Sequence, residues 1–303
     1  MMFTECRQKA SVYLDRWTPI KTATPLLHGI MTHSVLETLH EKQQKNPGYV
    51  PSLQETVNVT RAVTKAYEKE HGGRWNEEEA QNFEVISAQI ESVMPEYFKH
   101  WAKHPLKWID VEGVFRIPFQ YGTGGGVGKT WLTGRFDGVY TAKNGAVWLF
   151  DAKNKSQIVE EQLGETLLRD FQINFYLLAV KILTGKVPAG FLYSVARRPN
   201  LKLKQSESIP EYAARIRAHI AEDPEHYFKR YEVVVDKADL TAFEVELREL
   251  VSEFAAWLAA GRPVRLFGQP CVGKYGMCRN VPFCYNGDKA PFMKRDSVFS
   301  ELD

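Results

Sequence analysis

The sequence has no long apolar run. Nothing approaches the roughly 18 consecutive apolar residues of a membrane-spanning helix, and the opening MMFTECRQKASVYLDRW lacks the apolar stretch of a secretory signal. A cytosolic, reducing compartment is therefore expected, with no membrane partner. Net charge is almost absent. The 39 Lys and Arg against 37 Asp and Glu leave +2, so any attraction to nucleic acid has to come from a local basic patch. Cysteine is scarce, at four residues, and in a reducing compartment these are not read first as disulfides. Internal repeats, low-complexity tracts and clear linkers are missing too. What is there is an ordinary globular composition, 44% hydrophobic and 25% charged over 303 residues. That can bury a full core as one elaborated domain or two small ones. Without a linker, one domain over 1–303 is expected: a helical part at 1–105, a central α/β part at 106–200, and helices with a cysteine-rich tail at 201–303.

Hydrophobic periodicity sets the element order. Leu27, Ile30, Met31, Val35, Leu36 and Leu39 form a helical stripe over 26–41. Phe83, Ile86, Ile90, Val93, Met94 and Phe98 form another over 76–103, with acids in the first turn. Between them, 44–55 reads as loop around Pro47, Gly48 and Pro51. Three strands follow at 111–119, 133–141 and 146–153, and Asn144-Gly145 is a hairpin signal between the last two. A helix over 165–184 ends at Gly185 and Pro188, and a strand covers 190–196. Ser208 and Glu211 form a capping box for a helix from Ile209. A strand at 231–235, a long helix over 240–260 and an irregular tail from 264 complete the reading. The central order is helix, three strands, helix, strand, an α/β (α+β) class with a mixed sheet.

Residues 120–130, QYGTGGGVGKT, end like a phosphate-binding loop. That motif needs a glycine where Thr123 stands and a helix after Thr130, where Trp-Leu-Thr-Gly-Arg-Phe-Asp reads as a strand. A flexible hairpin connection is expected instead of a nucleotide triphosphatase site, with Lys129 as a weak candidate for a phosphate contact.

Two strands end in acids. Gly134-Arg135-Phe136-Asp137 is one, and Leu149-Phe150-Asp151-Ala152-Lys153 is the other. Asp151 and Lys153 are two apart and so share a strand face. Carboxylates suit a hard cation such as magnesium. The cation would generate hydroxide and stabilise charge on a phosphodiester, and the lysine would offset that charge. Taken alone the pattern is usually a solvated strand edge. Two further groupings accompany it: Gly29-Ile-Met-Thr-His33 on the early helix and Gln172-Ile-Asn-Phe-Tyr176 on the later one.

Together these four groupings, in this order and on these element types, resemble the RecB-like branch of the PD-(D/E)xK nuclease superfamily. The proline of that name is absent before Asp137. The resemblance implies a restriction-endonuclease-like core over 106–200. His33, Asp137, Asp151 and the Ala152 carbonyl would ligate Mg2+ or Mn2+, Lys153 would be the catalytic lysine, and Gln172 and Tyr176 would position DNA or the metal site. Glu112 is a weaker metal candidate whose alternative is a lone exposed acid. For His33 the alternative is a satisfied helix histidine, and for Tyr176 it is packing beside Phe175 and Leu177.

Cys271, Cys278 and Cys284 fall in CVGKYGMCRNVPFC, and Cys6 is the fourth. Clustered cysteines in a reducing compartment suggest a metal. One early and three late cysteines also resemble the iron–sulfur members of this family, AddB-type and CRISPR-adaptation nucleases. A 4Fe-4S cluster stapling both ends of the chain is implied, although six residues separate Cys271 from Cys278 where the family often has two. Zinc and plain structural thiols are the alternatives. Arg197 and Arg198 are candidate phosphate contacts, with Lys202 and Lys204 near them, and a solvated turn is the alternative. Trp101, Trp108 and Trp131 are expected in the core, with base stacking the alternative.

The expected function is a stand-alone metal-dependent deoxyribonuclease that enters DNA from an end, an exonuclease of recombination, repair or phage DNA processing. An endonuclease of the same fold is the alternative. A DNA-binding scaffold with a degenerate site is the rival from another class, and the intact Asp137, Asp151 and Lys153 argue against it. DNA is the expected partner, with a recombination or annealing protein and oligomerisation also considered.

Overall fold

A computed structural model describes residues 2–20, 24–122, 127–157, 160, 163–262, 271–273 and 276–299. The chain runs through α1 (Met2–Glu5), α2 (Arg7–Leu14), β1 (Trp17–Pro19), α3 (Thr24–Lys45) and α4 (Leu53–His71). Next come α5 (Glu77–Trp101), β2 (Lys107–Tyr121), β3 (Gly128–Thr141), β4 (Val147–Lys155), α6 (Leu163–Leu168), α7 (Phe171–Thr184) and β5 (Gly190–Arg197). It closes with α8 (Ile209–Glu222), α9 (Pro224–Tyr227), β6 (Phe228–Val234), α10 (Lys237–Ala259), β7 (Val272–Gly273), β8 (Gly276–Met277), α11 (Val281–Asn286) and β9 (Phe292–Lys294). The chain divides into two compact units, one of residues 24–113 and 135–236, the other of 1–23, 114–134 and 237–303.

A five-stranded sheet in the order β2-β3-β4-β5-β6 organises the fold. β3 and β4 are antiparallel, β4 and β5 are parallel, and β5 and β6 are antiparallel, so the sheet is mixed. The crossover from β4 to β5 carries α6 and α7, as a parallel pair requires. In the unit of residues 24–113 and 135–236, α3, α5 and α8 bury Met31, Val35, Leu39, Ile90, Met94 and Ile216 in one cluster with Phe150, Ala152, Leu192 and Ala196. Strand side chains alternate, so Leu149, Asp151, Phe191 and Tyr193 point to the opposite face. There α7 packs on β4 and β5.

Ile30, which shares the predicted stripe of α3, is 39% exposed while its neighbours are buried. Two further corrections concern helices. The predicted helix over 165–184 is interrupted. Asp170 caps α7 by accepting from the amides of Gln172 and Ile173, and Asn174 donates to the Leu168 and Asp170 carbonyls. Helix α4 lies within the part expected to be helical, but periodicity does not mark it as an element because its buried stripe is Thr56, Thr60 and Thr64 rather than apolar residues. Their hydroxyls donate to the carbonyls of Ser52, Thr56 and Arg61, which removes the cost of burying them. The capping box of Ser208 and Glu211 forms as expected.

The second unit holds Phe115, Ile117, Phe119, Leu132, Leu240, Phe243, Leu247 and Trp257 buried. Part of the tail expected to be irregular is ordered: β9 pairs antiparallel with β1, Trp17 opposite Lys294. Residues 123–126 of the glycine-rich stretch lie outside the described residues, as does Pro263. After them the chain enters β3, so no helix N-terminus follows Thr130.

Candidate active site

The site is built where β3 and β4 part. Their described ladder ends at Gly138 opposite Phe150. One step on, the Asp137 carboxylate replaces a ladder carbonyl, and its Oδ2 accepts from the Ala152 amide at 2.6 Å. This turns Asp137 toward β4 and fixes it. Asp151 then follows, 1% exposed, with Oδ1 held by Lys153 Nζ at 2.7 Å. Its Oδ2 is buried with no hydrogen-bond partner. Such an orphaned oxygen costs about 1–3 kcal/mol in a folded protein unless something fills its lone pairs.

Helix α3 brings His33 to the same place. Its Nδ1 lies 3.5 Å from Asp137 Oδ1 and 3.8 Å from Glu112 Oε1. Donor atoms of His33, Glu112 and Asp137 all lie within 4.8 Å of one another, a three-ligand group suited to one cation. Glu112 is thus no lone exposed acid. Its side chain is 7% exposed, and Oε2 forms an ion pair with Arg135 Nε at 3.2 Å. Glu112 also sits at φ 48° inside a strand, a left-handed conformation that costs a non-glycine residue about 1–3 kcal/mol. The next residue must be small: a Cβ on Gly113 would stand 2.3 Å from Asp110 Oδ2 and 2.5 Å from the Phe136 ring.

Electrostatics follow from this packing. Burial raises the Asp151 pKa to about 6 against the pull of Lys153, and the Asp137 charge adds to the rise. Lys153 is held in its charged form: burial opposes it, but Asp151 and Asp137 outweigh burial. His33 behaves like the lysine, its pKa raised because Asp137 and Glu112 overcome burial. On α7, Gln172 Nε2 donates to the Tyr176 hydroxyl at 3.0 Å. Burial first, and then the Asp137 and Asp151 charges, keep that hydroxyl protonated. Tyr176 is half-buried beside Phe175, while Leu177 is the core residue.

Other expected site residues stand elsewhere. Arg197 pairs with Glu160 at 3.6 Å and is 14% exposed. Arg198 donates to Ser156 Oγ at 3.4 Å. Lys129 is exposed. Ala152 meets the site through its N–H. Trp101 and Trp108 pack against the core as expected, whereas Trp131 is 53% exposed. The cysteines form no disulfide. Among the described residues no three of their sulfurs come within 4.8 Å of one another, wider than the spacing of under about 4 Å that thiolates share around one zinc at 2.3 Å. Cys278 N–H donates to the Cys271 carbonyl at 2.8 Å, and Cys284 lies on α11. Sequence reasoning missed Arg135, although its place two residues before Asp137 puts it on the same strand face.

A mixed sheet whose parting strands present carboxylates and a lysine to a helix histidine defines a restriction-endonuclease-like nuclease core. The profile of the PD-(D/E)XK nuclease superfamily matches residues 2–279, and the chain belongs to that superfamily. No curated protein matches the chain. Among solved structures, the crystal structure of SSO0001 is similar at 14% identity, covering 75% of this chain and 86% of that chain with a TM-score of 0.27. No helix among the described residues is long and apolar enough to cross a membrane.

Proposed function

We propose that this nuclease is a Mg2+- or Mn2+-dependent deoxyribonuclease of the RecB-like branch, acting as an exonuclease. The observation that carries the reading is Asp151: a carboxylate buried at real cost, one oxygen on Lys153 and the other unsatisfied, with the amide of the next residue, Ala152, on Asp137. His33, Glu112, Asp137 and Asp151 would hold the cation. When bound, it supplies a nucleophilic hydroxide and neutralises charge on the phosphodiester. The chain's own residues do the rest. Lys153, kept charged, faces the anionic phosphate and offsets the charge that develops there. Tyr176, kept protonated with its oxygen occupied by Gln172, is a donor for a phosphate oxygen. Arg135 restrains Glu112 so that its other oxygen stays turned to His33.

The test is labelled single- and double-stranded DNA with Mg2+ or Mn2+, with and without ATP. Wild type degrades DNA without ATP, and Lys153→Ala and Asp151→Ala do not. A Lys153→Ala protein that cuts as fast as wild type overturns the mechanism, and dependence on ATP would point to a triphosphatase. Mapping products from end-labelled DNA separates an exonuclease from an endonuclease.

The cysteines belong to the same reading as ligands of a structural 4Fe-4S cluster; zinc, the other occupant considered, would need the sulfurs drawn closer than they stand. The support is their number and company. Cys271, Cys278 and Cys284 share one short segment. The segment carrying Cys6 is joined to the tail by the β1–β9 pairing and by Trp17 against Phe283 at 5.7 Å. Anaerobic preparations should be brown and lose colour with Cys278→Ala; a colourless, iron-free, fully folded protein sinks the idea. A single elaborated nuclease domain, a cytosolic bacterial or phage-infected setting, and work alongside a recombination or annealing protein complete the proposal.

A further inference from the structure

The arm formed by β2 and β3 carries a surface that the active-site reading leaves unused. Along β2, Phe115, Ile117 and Phe119 are buried, while Val114, Arg116, Pro118 and Gln120 are exposed. On β3, Lys129 and Trp131 are exposed and Leu132 is buried. The arm therefore has one face turned to the core of its unit and one turned to solvent. Trp131 keeps 53% of its surface in water and Val114 keeps 57%. A large aromatic residue left half open on a regular strand forgoes part of the burial that drives folding, which asks for an occupant.

The charges beside it indicate which kind. Arg116 lies over the indole of Trp131 at 4.8 Å from its centroid. Four other surface arginines face carboxylates: Arg7 with Glu253, Arg61 with Glu91, Arg248 with Glu244 and Arg262 with Asp15. Among the described residues, Arg116 and Lys129 have no carboxylate within ion-pair distance. Lys129 is two residues from Trp131 and shares its face. An apolar protein partner would have to bury two uncompensated cations here. A nucleic acid strand brings what both need, phosphates for the cations and flat bases for the ring.

We infer that this face is a stacking platform for an unpaired nucleobase of single-stranded nucleic acid, with Trp131 as the base-stacking residue, Arg116 bracing the ring, and Arg116 and Lys129 contacting flanking phosphates. Base–aromatic stacking tolerates any sequence because every base has a π-face, which suits a nuclease without sequence preference. Bases in a duplex are already stacked, so the platform selects a single strand or a frayed end. The inference rests on the nuclease reading.

The experiment is fluorescence anisotropy of a short fluorescein-labelled oligothymidylate with the full-length protein in Ca2+, without Mg2+ or Mn2+. Trp131→Ala should weaken binding by about 5- to 150-fold, the range that stacking of one base spans, and Trp131→Phe should keep most of the affinity. Arg116→Gln should reduce the slope of log K against log salt by about 0.7, one phosphate contact on a single strand. Wild-type hydrolysis of bis(p-nitrophenyl) phosphate with Mn2+ reports the active site separately. If wild type binds the oligonucleotide and hydrolyses the ester while Trp131→Ala binds equally well, the platform is wrong and the nuclease reading stands. If wild type does neither, the nuclease reading falls and takes the platform with it. If Trp131→Ala instead changes the sedimenting mass of the protein, the face joins two copies of the chain and the inference is overturned.

Discussion

Replacing Lys153 by Met separates what the lysine does for folding from what it does for chemistry. The Asp151 carboxylate is 1% exposed, and Lys153 is its hydrogen-bonded cation at 2.7 Å. Even so, burial holds the Asp151 pKa near 6 against an ordinary 3.8, a penalty on the charged form of roughly 3 kcal/mol at about 1.4 kcal/mol per unit. Without the lysine the penalty grows, and stranding a buried charge costs about 3–5 kcal/mol. In a protein of this size that lowers Tm by roughly 5–15 °C, measured at pH 7 without divalent metal. The loss reverses with acid. The folded-state pKa of Asp151 in the variant lies above its unfolded value near 4, so the folded state takes up the proton first. Stability is regained as pH falls through the folded pKa, and the gain is complete below about 4. The double variant Asp151→Asn, Lys153→Met should recover most of the lost stability at pH 7 and remain inactive. A Lys153→Met protein that melts with wild type, or a double variant no more stable than the single one, would refute this account.

Three other measurements follow. Burial lowers the pKa of His28 to about 4 and of His40 to about 3. Their unfolded forms therefore take protons first, and stability is full above about 6.5 and falls by several kcal/mol as pH drops toward 4; urea midpoints that stay level between pH 7 and 4.5 would contradict this. Glu112→Gly relieves the φ of 48°, so the metal-free protein should gain about 1 kcal/mol while calorimetric Mn2+ affinity falls, and a variant that is less stable than wild type speaks against stored strain. Gly113→Ala drives a methyl group into Asp110 and the Phe136 ring and should cost about 1–3 kcal/mol in chemical denaturation.

What could be read from the sequence was whatever residue type and period encode. The stripe of α5 and the hairpin at Asn144-Gly145 follow from side-chain chemistry within a few residues, and the structure forms them; Asp137 and Asp151, expected at strand ends, stand instead inside β3 and β4, where the ladder between the two strands stops. Thr56, Thr60 and Thr64 escaped because threonine reads as polar until its hydroxyl is seen returning to its own helix. The β1–β9 pairing joins Trp17 to Lys294, and no local signal spans that separation. Glu112 shows the limit most clearly. Residue type marks left-handed backbone when the residue is glycine or asparagine, and glutamate gives no such sign. Its conformation is imposed by neighbours: Arg135 draws one carboxylate oxygen, His33 faces the other, and Gly113 lets Asp110 and Phe136 close against the strand. The unfavourable shape brings the Glu112 carboxylate to His33 and Asp137, so the weakest metal candidate of the sequence belongs to the one three-ligand group among the described residues.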